Sequence, residues 1–191
     1  KSFSDEDSLI NKFSPLNDYA YYKWLFDKWI IKNKIQNKVT GFRFSNIWGP
    51  GESHKGEMAS IVYKCYNEIK KTGSAKLFKY GEQERDFLYI KDCVDIIDWF
   101  IQNPKICGIY NIGSGVSNSF KEIVEEIFVV LNMPNKIEYI NMPKILVKTY
   151  QNYTKLDLIK LREIGYDKQF SDYKDYIKDY VLNYLEKNIY V

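Results

Sequence analysis

Tyr19-Ala-Tyr-Tyr-Lys23 sets a phenol and an ammonium four residues apart near the start of a helical run, and so on one face of it. A phenol ordinarily ionises near pH 10 and is a poor base at neutral pH. An ammonium about 4 Å away favours the phenolate by about 4 kcal/mol at an effective dielectric of about 20. That is enough to bring such a group toward acid–base service. In a chain with 17 Tyr and 25 Lys the same spacing also arises by chance. A second chemical feature is Arg85-Asp86. The guanidinium either pairs with its neighbour or clamps a diphosphate through its planar fork. His54 is the only histidine, and one imidazole alone makes no metal site, so no metal is expected.

The elements that must position these groups are legible as periods. Helical spacing begins near Asp18, with Tyr22, Phe26, Trp29 and Ile30 as the expected buried stripe. An apolar strand at 39–44 runs into the turn-rich Trp48-Gly-Pro-Gly51. Residues 57–72 are helical again, with Met58, Ile61, Val62, Cys65 and Ile69 on one face and Gly73 where a C′ glycine ends a helix. Lys76-Leu-Phe78 and Phe87-Leu-Tyr-Ile90 read as strands, 92–102 as a helix, and 108–115 as a strand entering a glycine turn. Ser119 with Glu122 is a capping box that opens a helix to Leu131. A strand at 136–140 and helices at 155–164 and 172–187 follow. The stripe Tyr173, Ile177, Tyr180 and Tyr184 of the last helix is expected in the core. Residues 1–17 read as loop. Strands alternating with helices make the fold α/β.

Composition excludes several classes of function. Aromatic residues are 17% of the 191, too many for a disordered chain. A net charge of +3 is too balanced for a nucleic-acid binder. Cys65, Cys93 and Cys107 are odd in number and lack C-x-x-C spacing, which argues against a disulfide framework and against zinc. No apolar run approaches the roughly 18 residues of a membrane span. A soluble, reducing, cytoplasmic setting without a membrane partner is the expectation.

Further segments follow the Tyr19/Lys23 pair: Phe42-Arg43-Phe-Ser-Asn46-Ile-Trp-Gly49-Pro50, Arg85-Asp86-Phe87-Leu-Tyr89-Ile-Lys-Asp92 and Tyr110-Asn111-Ile-Gly113-Ser-Gly115. In this order the four resemble the extended short-chain dehydrogenase/reductase superfamily, whose members act on nucleotide-linked sugars with a nicotinamide cofactor. Pro50-Gly-Glu-Ser-His54-Lys55-Gly56-Glu-Met58-Ala59-Ser60, Lys76-Leu-Phe78 and Gln151-Asn-Tyr-Thr154 are closer to its ADP-heptose 6-epimerase branch. His54-Lys-Gly-x-Met-Ala-Ser60 is the most specific of these segments, and the resemblance runs from about Phe3 to the last helix.

The resemblance implies a catalytic Tyr19, with Lys23 on the nicotinamide ribose and Lys55 as a second proton acceptor. Outside that match Lys55 would be an ordinary solvated charge in a Gly-Pro-Gly loop. Cofactor contacts are implied for Tyr19, Lys23, Ile47 and Lys55. Substrate contacts are implied for Asn46, Glu57, Lys64, Phe78, Lys79, Tyr80, Gly81, Arg85 and Tyr150. Three departures stand out: Lys64 replaces a histidine, Glu57 replaces a small residue, and the 78–85 stretch is one residue short. The implied cofactor is NADP, with NAD as the alternative. The implied partner is ADP-heptose or a related nucleotide-sugar, in a homo-oligomer.

The family opens with a glycine-rich G-x-x-G-x-x-G turn that these 191 residues do not contain. The chain is therefore expected to be the C-terminal part of a Rossmann-like doubly wound parallel sheet plus a smaller α/β sugar-binding lobe. Residues 1–47 and 87–113 would belong to the cofactor domain, and 48–86 and 114–191 to the substrate lobe. The implied reaction is epimerisation at C6 of the heptose through a transient ketone, for lipopolysaccharide core biosynthesis. The isolated chain of this isomerase is expected to be inactive. The alternatives are another nucleotide-sugar epimerase or dehydratase, or a non-catalytic binding piece.

Overall fold

A computed structural model describes residues 10, 12, 14–15, 17–147 and 150–189, so most of the expected loop at 1–17 lies outside the described residues. Asn17 caps α1 (Asp18–Lys32), its side chain accepting from the Ala20 N–H at 2.9 Å. Of the expected stripe only Ile30 is buried, and Tyr22, Phe26 and Trp29 are exposed. Helical period marks an apolar face but does not supply a partner for it. Arg43 Nε ties α1 to the next strand through Asp27 at 2.7 Å.

Residues 40–48 run as two strands on either side of Ser45. β1 (Thr40–Phe44) pairs in parallel with β5 (Gly108–Ile112), while β2 (Asn46–Trp48) pairs in parallel with β4 (Glu84–Tyr89). β5 is buried throughout, as a parallel strand covered on both faces must be. α2 (Ile61–Thr72) starts four residues later than expected. Residues 53–58 wind into 3₁₀ turns broken at Gly56 (φ 52), and the Ser60 hydroxyl caps the helix by accepting from Tyr63 N at 3.2 Å. Met58 therefore leaves the buried face and is exposed. Gly73 ends α2 at φ 77, as its position in the sequence implied.

β3 (Ala75–Phe78) pairs in parallel with β7 (Ile137–Ile140). β4 begins three residues before the expected strand, because its first half is paired antiparallel with β6 (Ser117–Ser119). α3 (Ile90–Gln102) links β4 to β5, and α4 (Phe120–Val130) carries the expected Ser119/Glu122 capping box. A short α5 (Lys144–Val147) follows β7, and α6 (Ile159–Glu163) is half the expected length. α7 (Tyr173–Tyr180) continues into a π turn over Val181–Leu185. Among the described residues no helix is long and apolar enough to cross a membrane.

Two buried clusters hold these elements. The first joins Trp48, Phe87 and Tyr89 to Val62 and Ile69 of α2, Ile123 and Ile127 of α4, and Ile177 and Tyr180 of α7. The second joins Leu88 to Ile96 and Phe100 of α3, Tyr110 and Ile112 of β5, and Leu158, Leu161 and Tyr166. Side chains alternate along a strand, so Phe87 and Tyr89 enter one core and Leu88 the other. β4 is thus a wall shared by both, each large apolar side chain contributing about 1.5–3 kcal/mol on burial.

Candidate active site

At Ser45 the chain leaves β5 and joins β4. Ligand crevices of α/β sheets open where strand partners change, beyond the carboxyl ends. Beside this point lies a cleft of about 620 Å³, walled by Asn46, Ile47 and Trp48 of β2, the outer face of α2, the end of β3, and Arg85 and Phe87 of β4. Its volume falls in the range of small-molecule sites, roughly 300–1,000 Å³.

Arg85 dominates the chemistry of the cleft. Only 8% of it is exposed. Its Nη1 donates to the Glu84 carbonyl at 2.8 Å and its Nη2 to the Gln151 carbonyl. The rings of Phe120 and Tyr150 lie 5.6 and 5.5 Å from the guanidinium carbon. Burial lowers the guanidinium pKa from its usual value, with Tyr150 opposing, and burial likewise raises the Tyr150 phenol against Arg85. No carboxylate pairs with Arg85 among the described residues. Asp86, the neighbour that could have done so, is fully buried and accepts from Ser114 N (2.7 Å), Ser114 Oγ (2.9 Å), Gly115 N (3.0 Å) and Leu156 N (3.1 Å). A plain Arg85–Asp86 ion pair is thereby ruled out. A buried cation without a counter-ion, with N–H donors to spare, is set for an anion that enters the cleft.

α2 presents Ile61, Lys64, Cys65 and Glu68 to the cleft, at i, i+3, i+4 and i+7. Lys64 Nζ is steered by the Glu57 carbonyl at 3.1 Å. The Cys65 thiol is pushed up to about 12 by burial, with Glu68 adding to the rise and Lys64 opposing, so it is an inert wall group. Lys76, Leu77 and Phe78 of β3 all line the cleft, and Leu77 is at the same time packed into the first core. Glu52 is a buried strut. Its carboxylate accepts from Ser60 N and Ser60 Oγ, both at 2.7 Å, and closes the loop that carries Lys55.

Residues 1–113 match the model of the NAD dependent epimerase/dehydratase family. The chain belongs to that family. It is 37% identical over 190 residues to ADP-L-glycero-D-manno-heptose-6-epimerase of Nitratidesulfovibrio vulgaris, a match covering 96% of this chain and 59% of that protein. It is 42% identical over 192 residues to the protein of the same name from Fusobacterium nucleatum, covering 93% of this chain and 58% of that one. The chain thus spans about three fifths of the length of the curated relatives it matches. The crystal structure of the Helicobacter pylori ADP-L-glycero-D-manno-heptose-6-epimerase superposes with a TM-score of 0.77 at 26% identity, over 95% of this chain and 59% of that one. A dTDP-glucose 4,6-dehydratase from Bacillus anthracis in complex with NAD shares the fold, with a TM-score of 0.79 at 20% identity, over 98% and 57%. The parallel pairs and flanking helices are Rossmann-like, as in the family's other structures.

Among the residues singled out by family resemblance, the cleft gathers Asn46, Ile47, Lys64, Phe78, Arg85 and Tyr150. Tyr19, Lys23, Lys55 and Glu57 do not line it. Tyr19 is 75% exposed on α1, and Lys23 Nζ sits over its ring, 5.6 Å from the centroid. Lys55 and Glu57 are exposed on the 53–58 turn. Lys79 and Tyr80 adopt left-handed backbone (φ 46 and 58) and line a separate hollow, where the Tyr80 and Tyr139 rings are 5.3 Å apart. Gly81 is buried at φ 73, and a Cβ there would meet Leu77 Cδ1 at 2.8 Å and Lys121 Cβ at 2.9 Å. Its role visible in the fold is close packing. Sequence reasoning missed Glu68, Lys76, Phe120 and Gln151. For Glu68 a signal existed, since it falls one helical turn after Lys64.

Proposed function

We propose that this chain forms the substrate side of an ADP-heptose 6-epimerase, taking ADP-heptose or a related nucleotide-sugar into the cleft. NADP is the preferred cofactor and NAD the alternative, in a cytoplasmic homo-oligomer that serves lipopolysaccharide core synthesis. The observation that carries the reading is Arg85, a buried guanidinium that no carboxylate among the described residues pairs with, which suits a diphosphate. The names of the relatives at 37% and 42% identity support the heptose as the sugar. In this reading residues 1–47 and 87–113 belong to the cofactor side and 48–86 and 114–191 to the substrate lobe, with Leu158, Leu161 and Tyr166 of the latter packed against Leu88 and Tyr110 of the former.

Tyr19, Lys23, Ile47 and Lys55 are the groups that would hold the cofactor. Tyr19 and Lys23 fit this use, since among the described residues the polar end of each has no partner but the other, across one face of α1. A nicotinamide held there would supply the hydride acceptor and donor for the carbon being inverted. Tyr19 takes the proton of the C6-side hydroxyl, leaving a transient ketone, and Lys23 stabilises the phenolate by charge. Inversion requires the ketone to turn, which points its oxygen away from Tyr19. Lys55, on the Glu52-braced loop, donates the proton on that second side. Arg85 holds the diphosphate while the sugar turns.

Calorimetric titration of the folded chain with ADP tests the binding half of this reading. ADP should bind, and Arg85→Ala should weaken it at least about tenfold. A folded chain that ignores ADP would overturn the proposal. Interconversion of the two C6 epimers of ADP-heptose by full-length protein, followed by NMR, tests the reaction.

A further inference from the structure

Three cations and one carboxylate line the cleft: Lys64, Lys76, Arg85 and Glu68. A diphosphate accounts for the cations. It does not account for Glu68, which would repel it and so needs a partner of another kind. Glu68 Oε2 accepts the backbone N–H of Lys76 at 3.2 Å, so the carboxylate is tied from α2 across to β3 and held in place. Its Oε1 has no partner among the described residues, and no ammonium lies within ion-pair distance. A fixed carboxylate with an unfilled acceptor, facing a ligand cleft, is matched by paired O–H donors.

α2 supplies the distances. Ile61, Lys64 and Glu68 share the cleft face, and at about 1.5 Å of rise per residue Glu68 lies about 10 Å beyond Ile61, with Lys64 near the middle. Ile61 adjoins the loop of Lys55 and Ser60, the end at which the reacting sugar would sit. Lys64 then lies over the phosphates, and Glu68 falls on the nucleoside side of them. We propose that Glu68 accepts hydrogen bonds from the vicinal hydroxyls of the nucleoside ribose, so that the cleft selects a ribonucleotide over its 2′-deoxy counterpart. This rests on the nucleotide-sugar reading above and adds to it a residue that recognises the ribose. A site built to bond a hydroxyl rejects a ligand that lacks it, because the acceptor is left unpaired.

The test is calorimetric titration of the chain with ADP and with 2′-deoxy-ADP. The variants are Glu68→Ala, Glu68→Gln (which keeps an oxygen for the Lys76 N–H) and Arg85→Ala. The wild type should bind ADP about tenfold more tightly than 2′-deoxy-ADP. Both Glu68 variants should lower ADP to the level of the deoxy compound, and Arg85→Ala should weaken both nucleotides alike. The inference is overturned if the wild type shows no preference, if the preference survives both Glu68 variants, or if removing the carboxylate tightens ADP. Those outcomes leave the nucleotide-sugar reading standing. A chain that is folded by circular dichroism yet binds neither nucleotide overturns both.

Discussion

Tyr19 and Lys55 occupy different elements, α1 and the braced 53–58 turn, and that separation distinguishes two proton-transfer schemes. If Tyr19 is an acid–base group, Tyr19→Phe in full-length protein should lose about 10²-fold or more in rate, the lower range for such a group. A rate within about threefold of wild type would retire the assignment. If each residue serves one epimer, Tyr19→Phe and Lys55→Met should each slow one direction of half-reaction more than the other. Single-turnover cofactor reduction by each purified epimer reads this directly. Equal slowing by Lys55→Met, or none, would leave Tyr19 as the sole proton carrier. Arg85 belongs to a different class of effect. A diphosphate clamp binds ground and transition states alike, so Arg85→Ala should raise KM and spare kcat. A fall in kcat at unchanged KM would contradict that role.

At the scale of elements, β4 fixes the site because its residues point alternately to different tasks. Arg85 faces the cleft, Asp86 clasps the turn at 114–115 and the chain at 156, and Phe87 enters the first core. Truncating Asp86 would strand three backbone N–H groups. Asp86→Ala should therefore cost about 3 kcal/mol in urea unfolding, as expected for a buried charge-assisted cluster. Little or no change in the midpoint would mean that water replaces the carboxylate. Gly81→Ala should destabilise by about 1–3 kcal/mol, since its Cβ would sit 2.8 Å from Leu77 Cδ1 in a left-handed backbone. If ADP affinity changes while stability does not, Gly81 touches ligand after all.

Across the whole molecule the last helix is docked by charge as well as by Ile177 and Tyr180. Glu186 is held below the usual carboxylate range by Lys70 and then Tyr66, against its partial burial. Burial alone would raise Asp179, but hydrogen bonds from Lys91, Asn183 and Tyr89 outweigh it and leave its pKa lowered. Both pKa values are depressed in the folded state, so the unfolded chain binds more protons. The stabilisation is complete above the unfolded value of about 4 and is lost as pH falls through the folded values. Near-ultraviolet dichroism should therefore stay flat from neutral pH down to about 5 and fall below about 4. Replacing both Lys70 and Lys91 by Met should flatten that acid limb, and an unchanged limb would place the acid sensitivity elsewhere. α1 contributes at this scale too. Tyr22, Phe26 and Trp29 form an exposed apolar face, the contact expected if the homo-oligomer proposed above assembles through α1. Light scattering should show a mass that rises with concentration and that Phe26→Glu returns to the monomer. A monomeric wild type would argue against self-association through this face.

The sequence by itself determined the α/β alternation, the Gly73 stop, the Ser119 capping box and the burial of Ile177 and Tyr180, because each depends on residues within a turn or two of one another. It also carried the family in segments such as Phe42–Pro50 and Arg85–Asp92, whose spacing survives without any knowledge of packing. Tertiary structure decided the rest. Whether Asp86 pairs with Arg85 or with Ser114, Gly115 and Leu156 depends on contacts 28 to 70 residues away, which no local pattern encodes. The exposure of Met58 follows from a break at Gly56, and that of Tyr22 and Phe26 from which faces of α1 meet a neighbour. Helical spacing from Lys64 puts Glu68 on the same face of α2, but the cleft that this face meets and the Lys76 N–H that ties the carboxylate to β3 are set by tertiary structure. A periodic pattern states which way a side chain points, and only the packed chain states what it meets there.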